Sequence, residues 1–145
     1  MKGRIYMKDN CIFCKIINGQ IPSSTVYEDD DFKAILDIEP ANKGHVLVLA
    51  KKHVENIYEM NDELAQKVFP VVAKIARAVK KTLNCDGVNI LQNNGVAAGQ
   101  TVFHFHVHII PRYDSDEELL TWNKKDYVDG EAQQYAQRIN ENIEK

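Results

Sequence analysis

Cysteine is scarce in this chain of 145 residues: there are three, beside one tryptophan and four prolines. Three thiols are too few, and odd in number, for a disulfide framework. No apolar run reaches the length of a membrane span, and the opening "MKGRIYMKDN" lacks the apolar stretch of a signal peptide. These absences set the expectation of a cytoplasmic protein with no membrane partner. Strong charge of either sign is also missing. The net charge of -3 gives no general electrostatic reason to bind nucleic acid or an anionic surface, so an anionic ligand would have to be met by local donors. There is no internal repeat, low-complexity stretch or interdomain linker, and 44% hydrophobic with 27% charged residues suits a single globular domain. Met7 can act as an alternative start, which would make residues 1 to 6 a loose tail.

What is present alternates between strand and helix patterns. "TVYEDDDFKAILDI" reads as two strands about the turn Asp29-Asp30-Asp31, with Tyr27, Phe32, Ile35 and Ile38 supplying strand character. "GHVLVLAKKH" is a short apolar strand. Asn61 or Asp62 can cap a helix in which Leu64, Val68, Val71, Val72, Ile75, Val79 and Leu83 recur at spacings of three and four. Pro70 lies inside it and predicts either a kink or a later start. "GVNILQNN" follows as a strand, "NGVAAGQ" as a loop, and "GEAQQYAQRINENIEK" as a C-terminal helix on Ala132, Tyr135, Ala136, Ile139 and Ile143. The order argues for an α+β domain on an antiparallel sheet.

Three of the five histidines fall at alternate positions in "QTVFHFHVHIIPRY". Period two puts His104, His106 and His108 in a row on one face of a strand and Phe103, Phe105, Val107 and Ile109 on the other. At roughly 6.5 to 7 Å between residues two apart, each ring would hold a different partner. The three could share a metal. Alternatively, Cys11 and Cys14, a metal or redox pair by their C-x2-C spacing, could join His53 and His104 in a closed Cys2His2 zinc site, while Cys85 is a core thiol. That leaves His106 and His108 for chemistry, and a neutral imidazole is a competent nucleophile toward phosphorus. The preceding loop suits an anion: Gly95, Ala97, Ala98 and Gly99 let backbone N–H groups approach a phosphate, and Asn93 and Thr101 add side-chain donors.

"HFHVHII" closely resembles the histidine-triad motif of the nucleotide hydrolases and transferases called HIT proteins. The likeness extends through "CIFCKIINGQIPSSTVYEDD", "AILDIEPANKGHVLVLAKKH" and "NNGVAAGQTVFHFHVHIIPR", covering residues 11 to 113 and looking like the family's bacterial branch. The resemblance implies a five-stranded antiparallel sheet with a long central helix and a C-terminal helix, in a homodimer. It divides the chain into a tail (1–10), a HIT domain (11–113) and a C-terminal extension (114–145) packing on the same domain. By the same resemblance His106 is the nucleophile that forms a nucleotidyl-histidine, His108 serves the phosphate and the leaving group, and His45 buttresses the triad. Asp37 matches the acceptor for the ribose hydroxyls. Asn93, Gly99, Gln100 and Thr101 match the phosphate cradle, and Phe13, Ile16, Ile21, Phe32 and Ile38 the base pocket. Cys11, Cys14, His53 and His104 match the ligands of a structural zinc ion.

The leading expectation is therefore an enzyme that releases a nucleoside monophosphate such as AMP from a purine nucleoside phosphoramidate or a dinucleoside polyphosphate. A nucleotide-binding or scaffold protein with little turnover and an HxHxH metalloenzyme are the alternatives.

Overall fold

The computed structural model describes residues 8–145; the expected tail, residues 1 to 6, lies outside them. The described residues divide after Ser115 into two units. The first opens with a short helix, α1 (Ile12–Ile17), and holds strands β1 (Thr25–Glu28), β2 (Phe32–Leu36) and β3 (Val46–Ala50). A long helix, α2 (Asp62–Leu83), follows, then β4 (Gly87–Leu91), a single 3-10 turn at Val96–Ala98, and β5 (His106–Arg112). The strands form one antiparallel sheet in the order β1-β2-β3-β5-β4. The second unit holds α3 (Glu131–Glu141), where the ring of Tyr127 lies 5.9 Å from that of Tyr135.

Local chemistry accounts for the element ends. Asp29 closes the β1–β2 turn by accepting from the N–H groups of Asp31 at 2.8 Å and Phe32 at 2.7 Å. Asn61 caps α2, its side-chain oxygen accepting from the Leu64 N–H at 2.8 Å. The later start that Pro70 suggested does not occur, because α2 runs from Asp62 through the proline without a break. Pro70 is exposed, so the carbonyl of Gln66, left without its helical donor, lies on the side where water can serve it.

The pleat sorts the side chains into two cores. Phe32 and Ala34 of β2, Val46 and Val48 of β3 and Val107 and Ile109 of β5 pack with Leu64, Val68, Val72 and Ile75 of α2. On the opposite face Ile35, Leu47 and Leu49 pack with Phe13, Cys14 and Ile16 of α1. His106 and His108 share this second face, opposite Leu49 and Leu47 across the β3–β5 register. So the histidine strand is clamped from behind by the α2 core, and its working side looks toward α1.

One of the five residues assigned to a base pocket is placed elsewhere. Phe32, 1% exposed, belongs to the α2 core, whereas Ile38, 93% exposed, lies next to Asp37 past the end of β2. Phe32→Ala should therefore cost about 3 to 5 kcal/mol of stability as a cavity in that core, and Ile38→Ala less than about 0.5 kcal/mol. Urea unfolding of the two variants measures this; comparable small losses would return Phe32 to the surface of a pocket.

Candidate functional site

The three triad histidines do not share one strand. β5 begins at His106, and residues 102 to 104 form a bend ahead of it. The N–H of Phe105 donates to the Val54 carbonyl at 2.7 Å, and the Phe105 carbonyl accepts from the Ala50 N–H at 3.3 Å at the end of β3. Phe103 is left 40% exposed rather than on the apolar face. The rings of His106 and His108 are also closer than strand spacing implies. Their centroids lie 5.0 Å apart, edge to face.

His104 is fully buried and meets Cys11, Cys14 and His53. Its Nδ1 lies 3.3 Å from Cys11 Sγ, 3.5 Å from Cys14 Sγ and 3.2 Å from His53 Nδ1, and Cys14 Sγ lies 3.3 Å from His53 Nδ1. Zinc bond lengths in a tetrahedral site imply edges of about 3.3 Å between nitrogens and about 3.6 Å between nitrogen and sulfur. The four atoms fit that frame. The ring is also turned correctly, since His104 Nε2 lies 2.6 Å from the Ala50 carbonyl and so carries the proton, leaving Nδ1 bare. His53 lacks that second partner; its Nε2 is buried and, among the described residues, unpaired. Without a metal, burial pushes the Cys14 thiol up to about 11, so binding an ion there displaces a proton.

His106 is held from the other side of the same residue. Its Nδ1 lies 2.7 Å from the His104 carbonyl and must donate to it, so Nε2 keeps its lone pair. The Phe13 ring stands edge-on to His106 at 5.1 Å and to His104 at 5.8 Å. Burial lowers the affinity of His106 for a second proton against the opposing pull of the His104 carbonyl and Asp37. The result is a neutral imidazole, oriented and unprotonated at one nitrogen.

A second hydrogen-bonded chain sets His108. The Ala41 N–H donates to His45 Nδ1 at 3.1 Å, which places the proton of His45 on Nε2. That proton points at His108 Nδ1, 2.9 Å away, so His108 carries its own proton on Nε2. Burial, helped by His106 and His45, pushes His108 down to about 4. Asp37, at the end of β2, accepts from the Glu39 N–H at 2.9 Å with one oxygen and holds the other 3.7 Å from His45 Nε2. Asp37, His45 and His108 lie close enough to be considered as metal ligands. The Ala41 bond argues against it, because a metal on His45 Nε2 would need a lone pair where this bond puts the proton. Among the described residues the nitrogens of His104, His106 and His108 form no common ligand set, which leaves the HxHxH metalloenzyme without a centre.

The loop before the bend differs in part from expectation. The N–H groups of Ala98 and Gly99 close the 3-10 turn onto Gly95 and Val96, and those of Gly95 and Gln100 bond within the loop as well. They are not offered to a ligand. Gln100, 3% exposed, is turned inward, whereas Thr101 is exposed and Asn93, 3.5 Å from the Gly99 carbonyl, is partly so. The apolar side of the site contains Phe13, Ile16 and Ile21 as expected, and adds Ile35. Ile35 was legible by parity: on a strand it shares the face of Asp37, and Phe32 does not.

The family described as HIT domain matches residues 18–115. "Protein hit" of Bacillus subtilis is 48% identical over 142 residues, covering 97% of each chain. The adenosine 5'-monophosphoramidase hnt1 of Schizosaccharomyces pombe is 41% identical, covering 76% of this chain and 80% of that one. The adenylylsulfatase HINT3 of Arabidopsis thaliana is also 41% identical, covering 76% of this chain and 56% of its own length. Among solved structures, a HIT family member from Bacillus subtilis has a TM-score of 0.89 at 48% identity, covering 94% of this chain and 99% of that one. A zinc-bound histidine triad family protein from Mycobacterium smegmatis has a TM-score of 0.73 at 39% identity, covering 80% and 84%.

Burial lowers the proton affinity of His45, His106 and His108 alike. For His108, held at about 4 when folded against an ordinary value of about 6.5, the unfolded chain takes up the proton first. Its contribution to stability is thus complete above about pH 6.5 and is lost as the pH falls toward 4. Ring nitrogen NMR at about pH 5 should find His108 neutral, with urea stability already reduced from its value at pH 7. A His108 ring titrating near 6.5 in the folded protein would contradict the hydrogen-bond chain.

Proposed function

This chain belongs to the HIT domain family, and from that premise we propose that it is a nucleotide hydrolase acting through a nucleotidyl-His106 intermediate. The substrate class is a purine nucleoside phosphoramidate or a dinucleoside polyphosphate, and the product is a nucleoside monophosphate such as AMP. The observation that carries this reading is the 2.7 Å bond from His106 Nδ1 to the His104 carbonyl, which commits the other nitrogen to a lone pair. Two relatives named for adenylyl chemistry, an adenosine 5'-monophosphoramidase and an adenylylsulfatase, support the substrate class.

In this reading the Nε2 lone pair of His106 attacks the α-phosphorus. The bond from phosphorus to the leaving nitrogen or oxygen breaks, and its electron pair departs with that atom, which takes up a proton. His108 presents Nε2–H to the phosphoryl group and the departing atom, held in that tautomer by His45. Water then attacks the nucleotidyl-histidine, AMP leaves, and Nε2 regains its lone pair. Asp37 accepts from the ribose hydroxyls, Asn93 and Thr101 meet the phosphate, and Phe13, Ile16, Ile21, Ile35 and Ile38 contact the base. A binder or scaffold would have no use for a nucleophile so oriented. The working form is a cytoplasmic homodimer on a small-molecule substrate, without nucleic-acid or membrane partners; among the described residues no helix is long and apolar enough to cross a membrane.

His106→Ala should lose about four or more orders of magnitude in hydrolysis of adenosine 5'-phosphoramidate while still binding AMP, because the covalent step has no substitute. Rapid-quench trapping of labelled AMP on the wild-type protein provides the positive control. Turnover by the variant near the wild-type rate would defeat the covalent mechanism.

Cys11, Cys14, His53 and His104 would hold a zinc ion, which when bound would cross-link the start of α1, His53 and the bend before β5 without taking part in the chemistry. Because the four ligand atoms are brought together only in the folded chain, loading the site would stabilise the fold, with the raised Cys14 thiol giving up its proton. Elemental analysis should find one zinc per chain, and Cys14→Ser should melt at least about 5 °C lower while retaining measurable hydrolysis. A metal-free wild-type protein prepared with zinc present, or an unchanged melting temperature, would remove the cross-link.

A further inference from the structure

The loop that follows β4 is anchored without side-chain packing. No residue of its 3-10 turn is buried, and Val96, its first residue, is 75% exposed. Its geometry is demanding nonetheless, since Gly95 and Gly99 bracket the turn at φ +93° and +94°. Hydrogen bonds must therefore fix its place. Asn94 supplies one at the start, accepting from the Ile57 N–H at 2.8 Å. Gln92 braces Asn94, and a further set converges on Gln100.

The Gln100 side chain accepts from the Gly95 N–H at 2.7 Å and donates to the carbonyls of Glu55 at 2.7 Å and Val102 at 3.0 Å. Both amide hydrogens are thus spent on backbone, and the amide oxygen faces the first residue of the turn. None of the three partners is local in function. Glu55 stands two residues past His53, and Val102 two residues before His104, so two of the bonds reach segments that carry candidate zinc ligands. The third reaches the loop that carries Asn93, Gly99 and Thr101.

We propose that Gln100 is a positioning residue for the hydrolysis: it makes no contact with the nucleotide, and it sets the distance from the Asn93–Thr101 loop to His106 by tying that loop to the two metal-bearing segments. The inference rests on the reading of the site as a nucleotide hydrolase. It replaces a phosphate contact by Gln100, which its sequence position suggested, with action through the loop. A misplaced cradle weakens the hold on the phosphate in ground state and transition state together, so KM and AMP affinity suffer more than kcat.

The test compares wild-type protein with Gln100→Met, which removes all three bonds at similar size, and with Gln100→Glu, which restores the oxygen facing Gly95 and, when protonated, one donor. Asn61→Ala, which removes the α2 cap far from the loop, controls for stability. With adenosine 5'-phosphoramidate as substrate and AMP as ligand, Gln100→Met should raise KM and the AMP dissociation constant by about tenfold and change kcat by less than about threefold. Zinc content should be unchanged and Gln100→Glu should fall between the two. Asn61→Ala should lower the melting temperature and leave KM alone. If Gln100→Met does not fold, the intermediate KM of Gln100→Glu carries the same decision. Unaltered KM in the folded Gln100 variants, or an equal rise in Asn61→Ala, overturns the proposal while an active wild-type protein preserves the hydrolase reading. A wild-type protein that neither hydrolyses the phosphoramidate nor binds AMP overturns both.

Discussion

One residue joins the parts of this molecule that would otherwise be independent. His104 uses three of its polar groups: ring Nε2 toward the Ala50 carbonyl, ring Nδ1 toward two thiols and His53, and its own carbonyl toward His106. Each use restricts the others. The bond to Ala50 decides which nitrogen faces the thiols, and the ring position so fixed aims the carbonyl that decides the tautomer of His106. Because the ring is fully buried, each of these bonds forms out of water, where an unpaired partner would cost most.

The same economy explains how a protein of net charge -3 can prepare a place for an anion. Its rings are held neutral by burial, and their protons are allotted by neighbouring backbone groups, the Ala41 N–H on one side and the His104 carbonyl on the other. One imidazole then offers a lone pair and the next a donor, although the two are chemically identical residues two positions apart on one strand. Backbone partners decide the difference, and they do so without a fixed cation.

Much of this was legible before any coordinates. Strict alternation from Phe105 to Ile109 identified a half-buried strand, the apolar spacing from Leu64 to Val79 identified α2, and the C-x2-C pair with two remote histidines identified the candidate metal cluster. What period two could not reveal was where the strand starts. That is settled by a tertiary bond, Phe105 N–H to the Val54 carbonyl, between residues far apart in sequence. Phe32 was assigned to the base pocket by the resemblance, and its parity relative to Asp37 puts it on the α2 face instead. Gln100 likewise entered the phosphate cradle through the resemblance. A polar side chain beside a glycine loop reads the same whether it faces out to a phosphate or inward to three backbone groups.

The two faces of β5 also restrict how the gene can drift. His106 and His108 look toward α1 while Val107 and Ile109 look into the α2 core, so inserting or deleting one codon within the strand would exchange the two sets. The imidazoles would be buried beneath α2 and the aliphatic groups left facing the nucleotide side. The Val96–Ala98 loop is held differently, by the backbone geometry at Gly95 and Gly99 and by the bonds to Gln100 rather than by an alternating pattern. Descendants of this sequence should therefore keep the spacing from His106 to Ile109 invariant.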